Sequence, residues 1–103
     1  MATEIVDRMA SVRAYLEAAN SGNTRRAYAS DWADFTTWCK GQEIDALPAP
    51  AAEVARYIAQ LADGGLKPST IRRRAAAISA AHRAAGLEPP TNFEGVKATM
   101  RGI

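Results

Sequence analysis

Apolar side chains recur at three- to four-residue intervals in five separate stretches of this chain, and glycine or proline lies between each stretch and the next. This spacing places the apolar residues of a stretch on one side of an α-helix. Alanine fills 23 of the 103 positions, whereas valine and isoleucine together fill ten, and this composition favours helices over sheets. The sequence therefore predicts an all-α fold, a compact bundle of four to five short helices in a single domain over residues 1–103.

The five apolar stripes run over residues 5–16, 28–39, 54–61, 71–85 and 93–103. The second helix is predicted from about Thr24 to Lys40, with Asn23 or Thr24 as its N-cap and Gly41 just past its end. Its aromatic stripe is expected in the core. The neighbouring carboxylates Asp31 and Asp34 are expected on a solvated face.

The last predicted helix opens with Thr91 and, three residues later, Glu94, which is the spacing of a capping box. Its stripe includes Met100 and Ile103, which a four-helix core need not cover. Two arrangements are therefore open. The helix docks back onto the bundle, or it serves as a handle for a partner or a neighbouring domain.

Targeting and metal-binding signals are lacking in the sequence. The N-terminus carries charges where a signal peptide would be apolar, and no apolar run is long enough to span a membrane. We therefore expect a soluble, intracellular protein. A single cysteine, Cys39, and a single histidine, His82, exclude an internal disulfide and a structural zinc site. No cofactor is expected.

Charge is distributed unevenly along the chain. Residues 1–63 carry six basic and nine acidic side chains, whereas residues 64–103 carry seven basic and two acidic ones. Such polarity indicates a polyanionic partner, although a mixed solvated surface would show it too.

The basic residues concentrate at the start of the fourth predicted helix, in the segment 67–74, with Arg83 further along. If Ile71 and Ile78 face the core, the opposite side of this helix carries small side chains in its middle and basic side chains at both ends. Small side chains let a helix enter the major groove, where arginines reach guanine edges or phosphates. The adjacent pair Arg25 and Arg26 lies in the first turn of the second helix, where the helix dipole disfavours cations unless phosphates are present.

Two alternatives to DNA binding are open. The arginines could merely solubilise a helical protein-interaction module. A hydrolase using Ser79 and His82 would lack a third orienting group and an oxyanion site.

The order and spacing of several short segments are informative when the segments are taken together. These segments are Asn23–Tyr28, Trp38-Cys39, Tyr57-Ile58 with Leu61, Gly65–Ile71, Ala81–Leu87, Pro90 and Met100–Ile103. Together they resemble the core-binding domain of tyrosine recombinases, which is the N-terminal, SAM-like helical domain of phage integrases. The resemblance covers residues 22–103. The closing His-Arg-x-x-Gly-Leu and Met-Arg segments look closest to the Cre-like branch.

The resemblance implies a non-catalytic domain that clamps one face of duplex DNA, while a C-terminal domain absent from this chain carries the catalytic Arg, Lys, His and Tyr. It implies contacts with neighbouring protomers through the first and fifth predicted helices, and a cytoplasmic, nucleoid-associated location. The chain would then be an excised domain or a truncated protein. From the charge pattern and the resemblance together, the candidate DNA-binding residues are Thr24, Arg25, Arg26, Ala27, Lys67, Ser69, Thr70, Arg72, Arg73, Arg74 and Arg83.

Overall fold

A computed structural model of the chain describes Val12 and residues 22–103. Four α-helices and a short 3-10 turn follow one another there: α1 (Gly22–Gln42), α2 (Ala51–Asp63), α3 (Pro68–Ala84), the turn Pro90–Asn92 and α4 (Glu94–Arg101). No β-strand occurs within this described part, and the predicted all-α fold is confirmed. The N-terminal predicted helix lies outside the described residues except for Val12, which is helical and fully buried.

The core forms where α1 packs against α3 and where α2 packs against α3 and α4. At its centre is the fully buried Phe35 of α1. Its ring centroid lies 4.9 Å from that of Tyr57, 5.7 Å from that of Trp32 and 6.2 Å from that of Trp38. The predicted aromatic stripe of this helix is therefore confirmed as core.

The limits of α2 and α3 follow local sequence signals. Pro50 precedes α2 in an extended conformation, which its ring favours, and Pro68 is the first residue of α3. After each helix comes a glycine with positive φ, Gly65 at +87° and Gly86 at +74°, a conformation that other residues adopt only with strain. Proline and glycine thus separate these helices, as their positions between the apolar stretches predict.

The limits of α1 differ from the prediction. The helix begins at Gly22, so Asn23 and Thr24 lie inside it and are not its N-cap, a preference worth only about 1 kcal/mol. It continues through Gly41 to Gln42, because Glu43, with φ of 60°, takes the left-handed conformation expected of a glycine.

The start of α4 also differs from the prediction. Phe93 precedes the helix without any side-chain cap, and Thr91 instead forms a hydroxyl–hydroxyl hydrogen bond with Ser79 of α3. The predicted capping box is therefore wrong, because Thr91 has a tertiary partner. Phe93, placed on the apolar stripe by its spacing, is 53% exposed.

The docked arrangement of α4 is the one observed. Val96 is fully buried, and Met100 and Ile103 are half-buried against the core. The helix packs against α2 and the 3-10 turn. Of the two arrangements that the sequence left open, the structure therefore has the one in which this helix docks on the bundle and the core partly covers Met100 and Ile103.

His82 of α3 ties the loop before α2 to the core. Its Nε2 accepts a hydrogen bond from the backbone N–H of Ala49 at 3.0 Å, so the proton of the neutral ring lies on Nδ1, which donates to the Ile78 carbonyl at 2.8 Å. The side chain is fully buried. Burial lowers the pKa of His82, and the hydrogen bond to Ile78 opposes this only in part.

We expect the stability of the domain to fall as the pH drops below about 6.5, the pKa of histidine in an unfolded chain. Below this value the unfolded chain binds a proton that folded His82 resists, so the free energy of unfolding decreases by up to ~1.4 kcal/mol per pH unit. Urea unfolding between about pH 7.5 and 5 measures this, before the carboxylates titrate. An equal pH dependence in His82→Gln would contradict the assignment.

Candidate nucleic-acid interface

One side of α3 is basic and open to solvent. The side chains exposed there are Lys67, Ser69, Arg72, Arg73 and Arg83, which we call the basic face. Between its two ends lie Ala76 and Ala80, both half-buried. The residues predicted to face the core, Ile71, Ala75 and Ile78, are buried, so the predicted orientation of this helix is confirmed.

The three consecutive arginines of α3 have different environments. Arg72 is exposed and makes no ion pair within residues 22–103. Arg73 and Arg74 instead reach across to carboxylates of α1. The run therefore combines one solvent-facing cation with two that join helices.

Arg73 is held by Asp31. Its Nε donates to Asp31 Oδ2 at 2.8 Å and its Nη2 donates to Asp31 Oδ1 at 3.1 Å, a two-bond fork between α3 and α1. Asp31 is only 3% exposed, which contradicts its predicted place on a solvated face. A buried carboxylate requires such a partner, because leaving it unpaired is costly. The same contact raises the pKa of Arg73, so the guanidinium stays charged.

Arg74 takes part in a second link, which includes α2. Its Nη1 donates to Asp34 Oδ2 at 2.5 Å and lies 3.3 Å from the Tyr57 hydroxyl. That hydroxyl donates to the same carboxylate oxygen at 2.6 Å. Burial raises the pKa of Tyr57, and the bond to Asp34 adds to the effect. Asp34 thus joins three helices, and its side chain is 48% exposed.

The other candidate segment is the first turn of α1. Arg25 and Arg26 are exposed there, and Ala27 is half-buried. Thr24 lies within the helix. Neither α1 nor α3 has an acidic residue in its first turn, although the positive end of the helix dipole favours one. Because α1 packs against α3, both basic segments belong to one pair of packed helices.

Among the described residues, no catalytic arrangement forms around Ser79, His82 or Cys39. Ser79 bonds to the Ala75 carbonyl and to Thr91, and both ring nitrogens of His82 face backbone groups. Burial raises the pKa of Cys39 to about 11, with smaller contributions from Glu53 and Asp45, so its thiol is unreactive.

Within the described residues, no three or more side chains that could bind a metal ion lie together. None of the helices described is both long and apolar enough to cross a membrane.

Comparisons with known proteins give a consistent picture. A family described as "Phage integrase, N-terminal SAM-like domain" matches residues 12–88. A protein of Selenomonas ruminantium described as "Integrase/recombinase xerD homolog" is 41% identical over an alignment of 91 residues, which covers 85% of this chain and 26% of that protein. The chain thus spans about a quarter of its relative's length. The predicted likeness to the Cre-like branch is not confirmed, since this relative is described as a xerD homolog.

Proposed function

As the chain belongs to the family of phage integrase N-terminal SAM-like domains, we propose that it binds duplex DNA as the core-binding domain of a site-specific tyrosine recombinase. The segment matched is an N-terminal domain, so these residues are not themselves an enzyme. The catalytic residues would belong to another part of the full protein.

The observation that carries this proposal is the basic face of α3. Lys67, Arg72 and Arg83 are exposed there without ion pairs inside the described part of the chain. Between them, Ala76 and Ala80 carry only small side chains, so the middle of the helix surface has no bulky group. An α-helix of this shape fits the major groove, which is about 12 Å wide, and the cations at its ends reach the flanking phosphates.

The packing of α1 against α3 supports a shared surface. The Asp31–Arg73 and Asp34–Arg74 contacts fix the two helices relative to each other. Arg25 and Arg26 at the start of α1 then extend the charge beyond α3. In this role the protein also contacts neighbouring protomers through its N-terminal segment and α4, and it acts in the cytoplasm on nucleoid DNA.

We expect binding to random duplex DNA to be micromolar and steeply dependent on salt. If the exposed cations at positions 25, 26, 67, 72 and 83 each neutralise one phosphate, the slope of log K against log salt is about −4 to −5. Affinity then falls roughly 300- to 1,000-fold between about 50 and 200 mM salt. A gel-shift titration at several salt concentrations measures the slope. Binding that ignores salt, or no binding at low salt, contradicts the proposal and favours the protein-interaction module.

A further inference from the structure

Arg73 differs from the other cations of the basic face because a buried carboxylate already occupies one edge of its guanidinium. Asp31 takes the Nε hydrogen and one Nη2 hydrogen. An arginine carries five N–H donors in a planar fork, so both Nη1 hydrogens and one Nη2 hydrogen are left on the opposite edge. No residue in the described part of the chain accepts from that edge, and the side chain is 46% exposed.

We propose that Arg73 reads the edge of a guanine in the major groove through this outer Nη1–Nη2 edge, with Asp31 as the positioning residue that aims it. The inference rests on the proposed function, since it concerns how the same surface distinguishes sequences. Guanine presents two acceptors, O6 and N7, at the spacing that an arginine fork matches.

The charge of the pair argues against a phosphate as the ligand of Arg73. Asp31 balances the Arg73 guanidinium at hydrogen-bond distance, and Asp34 balances Arg74, whose Nε also lies 3.8 Å from Asp31 Oδ1. An approaching phosphate therefore meets a cluster of two carboxylates and two guanidiniums with no net charge. Attraction to phosphates comes instead from Arg72, whose charge no described residue balances. A guanidinium whose charge is balanced and whose orientation is fixed suits the uncharged acceptors of a base edge, because the ordering of the long side chain has already occurred in the free protein.

The position of Arg73 on α3 is consistent with this role. Ser69 lies one turn before it, and Ala76 and Ala80 lie one and two turns after it on the same side. These small residues leave room for the helix backbone to approach the base pairs. Arg74, one residue further on, hydrogen-bonds to Asp34 and lies near Tyr57, and its Nε is 3.8 Å from Asp31 Oδ1. Its side chain is only 22% exposed, so it does not share the role.

The decisive variant is the double substitution Asp31→Asn with Arg73→Gln. It removes one negative and one positive charge, so the net charge of the domain is unchanged, and amide groups can still hydrogen-bond between α1 and α3. The full chain is mixed at low salt with a pool of duplexes randomised over the binding region, and shifted DNA is sequenced. The salt slope is measured on the unselected pool.

We expect the wild-type chain to prefer guanine by at least about fivefold at one position. The double variant should lose this preference while its affinity for the unselected pool stays within about twofold and its slope is unchanged. Arg72→Gln, the matched control, should keep the preference and reduce the slope by about one.

Three results would overturn the inference. The double variant could retain the guanine preference, its slope could fall by about one, or the wild-type chain could bind with a normal slope and no preference. If the wild-type chain does not bind DNA, the proposed function itself fails before any variant is tested. If the double variant folds poorly, Arg73→Lys takes its place in the test. It keeps the positive charge beside Asp31 but lacks the planar fork of arginine, so it must also lose the preference for guanine.

Discussion

Replacing Phe35 with alanine is expected to lower the free energy of unfolding by about 3–5 kcal/mol, out of the ~5–15 kcal/mol that holds a domain of this kind together. The ring is fully buried and contacts the rings of Trp32, Trp38 and Tyr57. Its removal leaves a cavity that the packed helices cannot close. The melting temperature should fall by more than about 12 °C, as measured by circular dichroism.

The second phenylalanine of the chain provides the matched control. Phe93 just before α4 is 53% exposed, so Phe93→Ala removes the same atoms from a half-exposed position on the surface and not from the core. We expect this variant to change stability by less than ~0.5 kcal/mol. Equal losses in the two variants would contradict the assignment of Phe35 as the centre of the core.

The parts of the fold that were predictable from sequence depend on local signals. The limits of α2 and α3 follow Pro50, Gly65, Pro68 and Gly86, whose backbone preferences act within a few residues. The buried sides of α1, α2 and α3 follow from helical periodicity, which depends only on spacing.

The sequence-based predictions are wrong where a residue distant in the sequence determines the local structure. Thr91 has the spacing of a capping box, but Ser79 on α3 is its partner. Phe93 has the spacing of the core stripe, yet the helices that the structure describes leave 53% of it exposed. Spacing shows which side of a helix a residue occupies, and only the packing of the helices shows whether that side is covered.

The candidate site was predictable as a concentration of charge and not as an arrangement. Asp31 and Arg73 are separated by 42 residues in sequence, so no local pattern pairs them. One signal was present: Asp31 lies three residues after Tyr28 and directly before Trp32, at the border of the apolar stripe. A carboxylate at such a border is rarely buried unless a cation pairs with it. The run of three arginines at 72–74 is a place in the sequence where such a cation could come from.

The burial of Asp31 determines which charge reversals can test DNA binding. Arg73→Glu would place a second carboxylate against a buried one and destabilise the fold, so loss of binding would have two explanations. Lys67 and Arg72 are exposed and bear no structural ion pair within residues 22–103. Acids near the N-terminus of α3 also interact favourably with its dipole. Reversal at positions 67 and 72 therefore leaves the helix intact.

Lys67→Glu with Arg72→Glu is expected to weaken binding to random duplex DNA at low salt by at least about a hundredfold, because two phosphate contacts become repulsive. Gel shift measures the loss, and the melting temperature should be unchanged. Lys40→Glu with Lys97→Glu makes the same change in net charge at two exposed lysines outside the basic face. If binding depends on where the cations lie, this control pair retains most of its affinity. If both pairs lose affinity equally, only total charge matters, and α3 has no special part in DNA binding.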